Sequence, residues 1–251
     1  MWTRVCIVLV GLVYAVSCDC NVPPSLWCSS GEVAQSCGVY EQCRSALMRD
    51  PFAKPVNLTL YYESLCPDCK QFINDQLYNV WKTLGEDVVN LTLVPYGNAR
   101  EKKGLKGWDF TCQHGEQECV GNLIETCAIA LLEKKTAYVP FIYCMEGMDI
   151  EPAKAAQKCG EKLGIDIDDI MKCSTSSQGN NLEHEMALLT DALNPPHRYV
   201  PWIVINDIHT EKMQNKAQSH LLEVICETYK GDPPTACSKL LKSSGRIYKD
   251  L

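Results

Sequence analysis

The chain has 251 residues, enough for one large domain or one domain with a small module. With 15 Gly, 13 Pro, 46% hydrophobic and 22% charged residues, it is neither collagen-like, low-complexity nor disordered. A net charge of −7 without a basic stripe argues against nucleic-acid binding, and 16 cysteines point to an oxidising compartment.

Arg4 precedes a twelve-residue apolar run, residues 5–16, followed by the small residues Ser17 and Cys18. A charged start, a short apolar core and small residues at the cut describe a secretory signal peptide over residues 1–18. As a helix the run would cover only about 18 Å, too short for a bilayer, and no later segment is long and apolar enough for a membrane span. A cysteine-dense segment follows, with Cys20, Cys28, Cys37 and Cys43. It is too small to build a core unaided, so two structural disulfides are expected within a module and linker over residues 19–55. Residues 49–55 read as the linker and a processing site.

Residues 56–62 alternate apolar and polar types and predict a strand. Cys66-Pro67-Asp68-Cys69 comes next, and Phe72, Ile73, Leu77, Val80, Trp81 and Leu84 then fall near helical spacing. Residues 88–96 predict a second strand, completing a βαβ unit. From about residue 104 to 193 the text turns helical and cysteine-rich. After the Asn194-Pro195-Pro196 break, residues 200–205 form another strand, turning at Asn206-Asp207 toward a short further one. A closing amphipathic helix carries Cys226. The order predicts an α/β, thioredoxin-like fold over residues 56–238, with a disulfide-stapled helical insertion and the small disulfide-rich module in front. Residues 239–251 are a tail open to removal; their last four faintly echo an ER-retention signal without matching it.

A Cys-x-x-Cys directly after a strand and opening a helix carries redox chemistry. Cys66 sits where free helix N–H groups and the macrodipole stabilise an anion, so it is the candidate nucleophile, and Cys69 one turn on is the resolving thiol. Pro67 suits the first helical turn. Asp68 opposes the effect, because a carboxylate beside a thiolate destabilises it. A structural disulfide, a cysteine-protease site and a zinc site compete. Zinc would need a second ligand pair, and the nearest, Cys112 and His114, lie over forty residues on, so no metal is expected. Val200-Pro201 and Val139-Pro140 are the two candidates for a cis-proline opposite the dithiol; chain order favours Pro201, which begins the strand before the final helix.

Cys112-Gln113-His114-Gly115-Glu116-Gln117-Glu118-Cys119, then Asn122 and Cys127, resembles the signature of the gamma-interferon-inducible lysosomal thiol reductase family at every fixed position. The similarity spans about residues 56–237, and includes Leu60-Tyr61-Tyr62-Glu63, Val94-Pro95-Tyr96-Gly97-Asn98-Ala99 and Tyr199-Val200-Pro201-Trp202. The resemblance implies an enzyme that reduces disulfides of endocytosed proteins at acidic pH and assists antigen processing. It implies a place in lysosomes or endosomes reached through the secretory pathway, with secretion of the precursor as a side route. No cofactor is expected beyond an external small thiol such as cysteine or glutathione, and the partners are disulfide-containing proteins. Acid activity requires a depressed Cys66 pKa; the helix terminus is expected to do most of this, with His114 either a helper or a structural hydrogen-bonded residue. The segment Pro24-Ser25-Leu26-Trp27-Cys28, with Ala34, Cys37-Gly38-Val39 and Cys43, is similar to a saposin A-type module, whose alternative is a plain stapled propeptide.

Asn57-Leu58-Thr59 and Asn90-Leu91-Thr92 are glycosylation sequons at strand starts, so Asn57 and Asn90 are candidate glycan sites. Cleavage after Cys18 leaves an even 14 cysteines, whereas cleavage after Ser17 leaves 15, with Cys18 then a thiol for a disulfide-linked dimer of the precursor. Beyond the dithiol and the N-terminal four, Cys112, Cys119, Cys127, Cys144, Cys159, Cys173, Cys226 and Cys237 are expected in structural disulfides. Only Cys226 with Cys237, eleven residues apart, is favoured as a pair. An ER-type isomerase or oxidase using the same dithiol, and a non-catalytic secreted scaffold or lipid-binding protein, are the competing functions.

Overall fold

The computed structural model describes residues 20–41, 43, 50 and 52–243. The signal peptide with Cys18, Arg49 and Pro51 of the linker, and the end of the tail lie outside the described residues. The chain divides into two compact units, residues 55–228, and a smaller one made of the N-terminal segment together with residues from 229 on.

In the larger unit, alternation writes the sheet directly. In β1 (Val56–Tyr62) Val56, Leu58, Leu60 and Tyr62 are buried while Asn57 is exposed; in β2 (Val89–Pro95) Val89, Leu91 and Leu93 are buried while Asn90 and Thr92 are exposed. Period-two side chains place these apolar sets on one face. β2 pairs with β1 in parallel, with Asn57 opposite Asn90, and β5 (Trp202–Ile205) pairs with the other edge of β1 antiparallel, giving the order β2-β1-β5. The short strand expected after Asp207 is only a bridge between Ile205 and Ile208. The turn there closes within three residues, too few to extend a ladder.

The helix after β1 runs as α2 (Pro67–Phe72), a π-turn (Ile73–Leu77) and α3 (Tyr78–Leu84), ending at Gly85 with φ +75°. Phe72, Ile73, Leu77, Val80, Trp81 and Leu84 are all buried, so the expected apolar stripe is the face laid on the sheet. The segment expected to begin a helical insertion near residue 104 instead opens with a hairpin, β3 (Arg100–Lys103) and β4 (Trp108–Thr111). Arg100–Lys103 is polar and largely exposed, and the alternation of Trp108 and Phe110 in β4 covers only four residues, too short to announce the hairpin. The helices follow: α4 (Glu116–Leu132), α5 (Lys135–Glu146), α6 (Pro152–Leu163), α7 (Asp168–Ser174) and α8 (Ser177–Asp191). Disulfides Cys112–Cys119, Cys127–Cys173 and Cys144–Cys159 staple them. Pro140, the rival cis-proline candidate, lies inside α5, whereas Val200–Pro201 is cis; a second cis bond, Asn194–Pro195, was not foreseen. The last helix of this unit, α9 (Glu211–Thr228), departs from helical geometry at His220.

In the smaller unit, α1 (Gly31–Ser36) is capped by Ser30, whose hydroxyl accepts from the Val33 amide at 3.2 Å. Cys20–Cys37 and Cys28–Cys43 form the two expected staples. α10 (Thr235–Ser243) belongs here, and the Asp50 amide donates to the Lys230 carbonyl at 3.0 Å. The larger unit ends at residue 228, inside the 56–238 span expected for the reductase domain. Cys226 and Cys237 are both disulfide-bonded.

Candidate active site

Cys66 occupies the N-cap of α2 with extended backbone, and Pro67 takes the first helical position, where no amide is missed. Cys66 and Cys69 are the free thiols among the described residues; Cys66 is 6% exposed and Cys69 wholly buried. The Cys66 sulfur lies 4.0 Å from the Val200 carbonyl oxygen, so the cis Val200–Pro201 bond faces the dithiol. Gln214 of α9 fixes this segment: its amide donates to the Pro201 carbonyl at 2.8 Å and accepts from the Ile203 amide at 2.9 Å.

Burial and hydrogen bonding separate the two thiols. Cys66 is brought down to about 7, first by the thiol hydrogen bond from Cys69, then by the backbone amides of Cys69 and Asp68 and the charge of His114, all against burial. The leading cause is thus its partner thiol, not the helix terminus as the sequence suggested. Burial, followed by the same hydrogen bond and the Cys66 charge, pushes Cys69 far upward. Of the two, Cys66 is the thiol that ionises, about half at pH 7, and Cys69 holds the proton that stabilises it.

The residues of the signature build the wall beside Cys66. Asn122, buried in α4, accepts the Ser64 amide at 3.0 Å, and the Ser64 hydroxyl donates to the Glu118 carbonyl at 3.1 Å. Both fix the turn that carries β1 into Cys66. Gly121 meets this turn so closely that a Cβ there would collide with the Ser64 hydroxyl. Gln113 accepts from the Asn98 side chain at 3.0 Å. His114 Nδ1 pairs with Glu118 and stands 3.5 Å from Glu63, in the one group of three or more potential metal ligands found among the described residues. Cys112 is locked to Cys119 and Cys127 to Cys173, so Cys112 cannot join His114 in the zinc arrangement weighed from sequence.

Three further carboxyls are buried under the site. Tyr62 donates to Glu125 at 2.6 Å, and Thr126 donates to Glu183 at 2.7 Å. Burial raises Glu125 to about 7 and Glu183 to about 8; burial and the facing Glu125 charge raise Glu146 strongly. The Cys66 charge in turn raises Glu146, and the Glu146 charge adds to the rise of Cys69. Sequence reading missed Glu125, Glu146, Glu183 and Gln214, because single polar residues in helical text look like solvent-facing positions. Asn57 and Asn90 are exposed neighbours on adjacent strands, the Asn90 amide donating to Asn57 at 2.8 Å.

Residues 57–163 match the family model described as gamma interferon inducible lysosomal thiol reductase. The chain is 47% identical over 236 residues to the gamma-interferon-inducible lysosomal thiol reductase of Carassius auratus, covering 92% of this chain and 89% of that protein. It is 39% identical over 229 residues to the protein of the same name from Mus musculus, covering 90% and 89%. In fold it is similar to oxidised BdbD of Bacillus subtilis, with TM-score 0.50 and 16% identity over 78% of this chain and 91% of that one, a thioredoxin-like arrangement. A free dithiol at a helix N-terminus, opposite a cis-proline and walled by the full signature, makes this chain a thiol–disulfide oxidoreductase that belongs to the gamma-interferon-inducible lysosomal thiol reductase family.

Proposed function

We propose that this chain reduces disulfide bonds of endocytosed proteins in acidic endosomes and lysosomes, opening them for proteolysis and so assisting antigen processing. The observation that carries the reading is the free, asymmetric dithiol Cys66–Cys69 set in an interior whose carboxyls are tuned to be neutral in acid. The names of the two vertebrate relatives support the compartment.

In this reading the Cys66 thiolate attacks one sulfur of a substrate disulfide. A mixed disulfide forms, and the substrate's other sulfur leaves as a thiolate that takes up a proton. Cys69 then gives up its proton and attacks the Cys66 sulfur, releasing the second substrate thiol and leaving the enzyme oxidised. Two molecules of a small external thiol, cysteine or glutathione, then reduce the Cys66–Cys69 disulfide through a second mixed disulfide and leave as their own disulfide. Pro201 and the Val200 carbonyl form the surface against which the substrate backbone lies.

A thiol with pKa about 7 is about half ionised at pH 7 and about 1% at pH 5. Burial, the facing Glu125 and the Cys66 charge all raise Glu146, so this buried carboxyl favours its proton while Cys66 carries charge. The test is reduction of a denatured disulfide-containing protein at pH 5 and pH 7 by wild type, Cys66→Ser and Cys69→Ser. Turnover at pH 5 that disappears in both variants is expected. Activity confined to pH 7 would favour an ER-type isomerase or oxidase instead.

A further inference from the structure

We propose that Glu63, His114 and Glu118 form a binding site for a divalent transition-metal ion of the zinc type. The three donors, one imidazole nitrogen and two carboxylate oxygens, lie within 4.8 Å of one another. Tetrahedral zinc with bonds near 2.1 Å needs donor separations of about 3.4 Å. The 3.5 Å between His114 Nδ1 and Glu63 Oε2 already meets this. The Glu118 carboxylate is hydrogen-bonded to the same nitrogen and must give up that bond for an ion to enter between them.

The carboxylates are held as outer-shell contacts hold ligands. Glu63 Oε1 accepts the Asn98 amide at 2.6 Å, and Glu118 Oε1 accepts the His114 amide at 3.1 Å. Each carboxylate is anchored through one oxygen and presents the other, Oε2, to the common point. Gly97, at φ +58°, closes the far side of Glu63, where a Cβ would come within 2.5 Å of its Cγ.

An independent observation marks the point as a ligand position. Glu63 is wholly buried, and its Oε2 has no hydrogen-bond donor. An orphaned buried carboxylate oxygen calls for a compensating charge. Glu118 is equally buried, so two carboxylates face one imidazole. Lys70, the nearby cation, is engaged with the Met148 carbonyl at 2.7 Å and Asp149 at 2.9 Å. His114, 31% exposed, lines an open cavity with Leu65, Pro67 and Gln117, which gives the ion a way in. Two carboxylates and an imidazole leave a fourth position for water, as open zinc sites do. The proposal stands apart from the acid-reductase reading, since it concerns binding and not turnover.

The test is calorimetric titration of zinc chloride at pH 7 into the full chain carrying Cys66→Ser and Cys69→Ser, which removes the dithiol as a competing ligand. One saturable equivalent is expected. Adding Glu63→Gln or His114→Ala should weaken it at least tenfold, with circular dichroism confirming the fold; His184→Ala, at a His–Glu pair elsewhere in the unit, should leave it unchanged. No saturable binding, or binding of equal strength in Glu63→Gln, would overturn the site and leave a shared proton to balance the two carboxylates.

Discussion

The state of Cys66 can be tested through its partner. Donation by the Cys69 thiol is the foremost cause holding Cys66 at about 7 against an ordinary value of 9.0. Cys69→Ala removes the donor and little volume, whereas Cys69→Ser keeps a hydroxyl able to donate. A hydrogen bond to a charged group is worth about 1.5–3 kcal/mol, or about 1–2 pH units. Cys66 should therefore titrate about 1–2 pH units higher in Cys69→Ala and stay near the wild-type value in Cys69→Ser. The assay is the pH dependence of Cys66 alkylation by iodoacetamide, read with thiolate absorbance at 240 nm. At pH 7 the thiolate fraction falls from about a half to between about 1% and 10%, so alkylation slows about five- to fiftyfold. An unchanged titration in Cys69→Ala would refute the view that the partner thiol, and not the helix amides alone, sets the charge of Cys66.

The fold itself should prefer acid. Burial raises Glu125 to about 7 and Glu183 to about 8 from an ordinary 4.5, so their contribution to stability is complete below about pH 4.5 and is lost as the pH rises through about 7 to 8. The thermal midpoint is expected to be higher at pH 5 than at pH 8, and Glu183→Gln should flatten the profile; a midpoint that climbs with pH contradicts this. Asn122→Ala orphans the Ser64 amide, costing about 1–3 kcal/mol in denaturant unfolding and lowering reductase activity by loosening the turn before Cys66. Removing Cys144–Cys159 with a double alanine variant should cost about 3 kcal/mol for a loop of 15 residues while leaving Cys66 alkylation intact; a larger loss of thiol reactivity would mean that the clip also positions the carboxyls under the dithiol.

Much of the frame was legible in the chain. β1 and β2 alternate because one face of each is buried and the other is not, and such local periodicity survives any tertiary arrangement. The dithiol at the strand-to-helix junction and the proline opening the third strand were readable for the same reason: each is a short motif whose geometry is fixed by its neighbours in sequence. The β3–β4 hairpin was not, since Arg100–Lys103 carries no apolar face to betray it. Nor was the unit boundary at 228, because it is set by which distant segments pack together.

What the sequence by itself determined is the set of chemical groups: a Cys-x-x-Cys dithiol at a strand-to-helix junction, a proline opening the strand before the last helix, a cysteine-rich helical insertion, and a signature that sets His114, Glu118 and Asn122 at fixed spacing. What only the tertiary structure decided is who meets whom. Asn122 reaches back 58 residues to hold Ser64, Glu63 and Glu118 converge on one imidazole, and Glu125 and Glu183 lose their solvent. The thiol that most lowers Cys66 is its own neighbour, yet burial decides which of the two keeps the proton. Charge, desolvation and hydrogen-bond partnership depend on distances in space, and distances between residues far apart in the chain exist only once the core has closed.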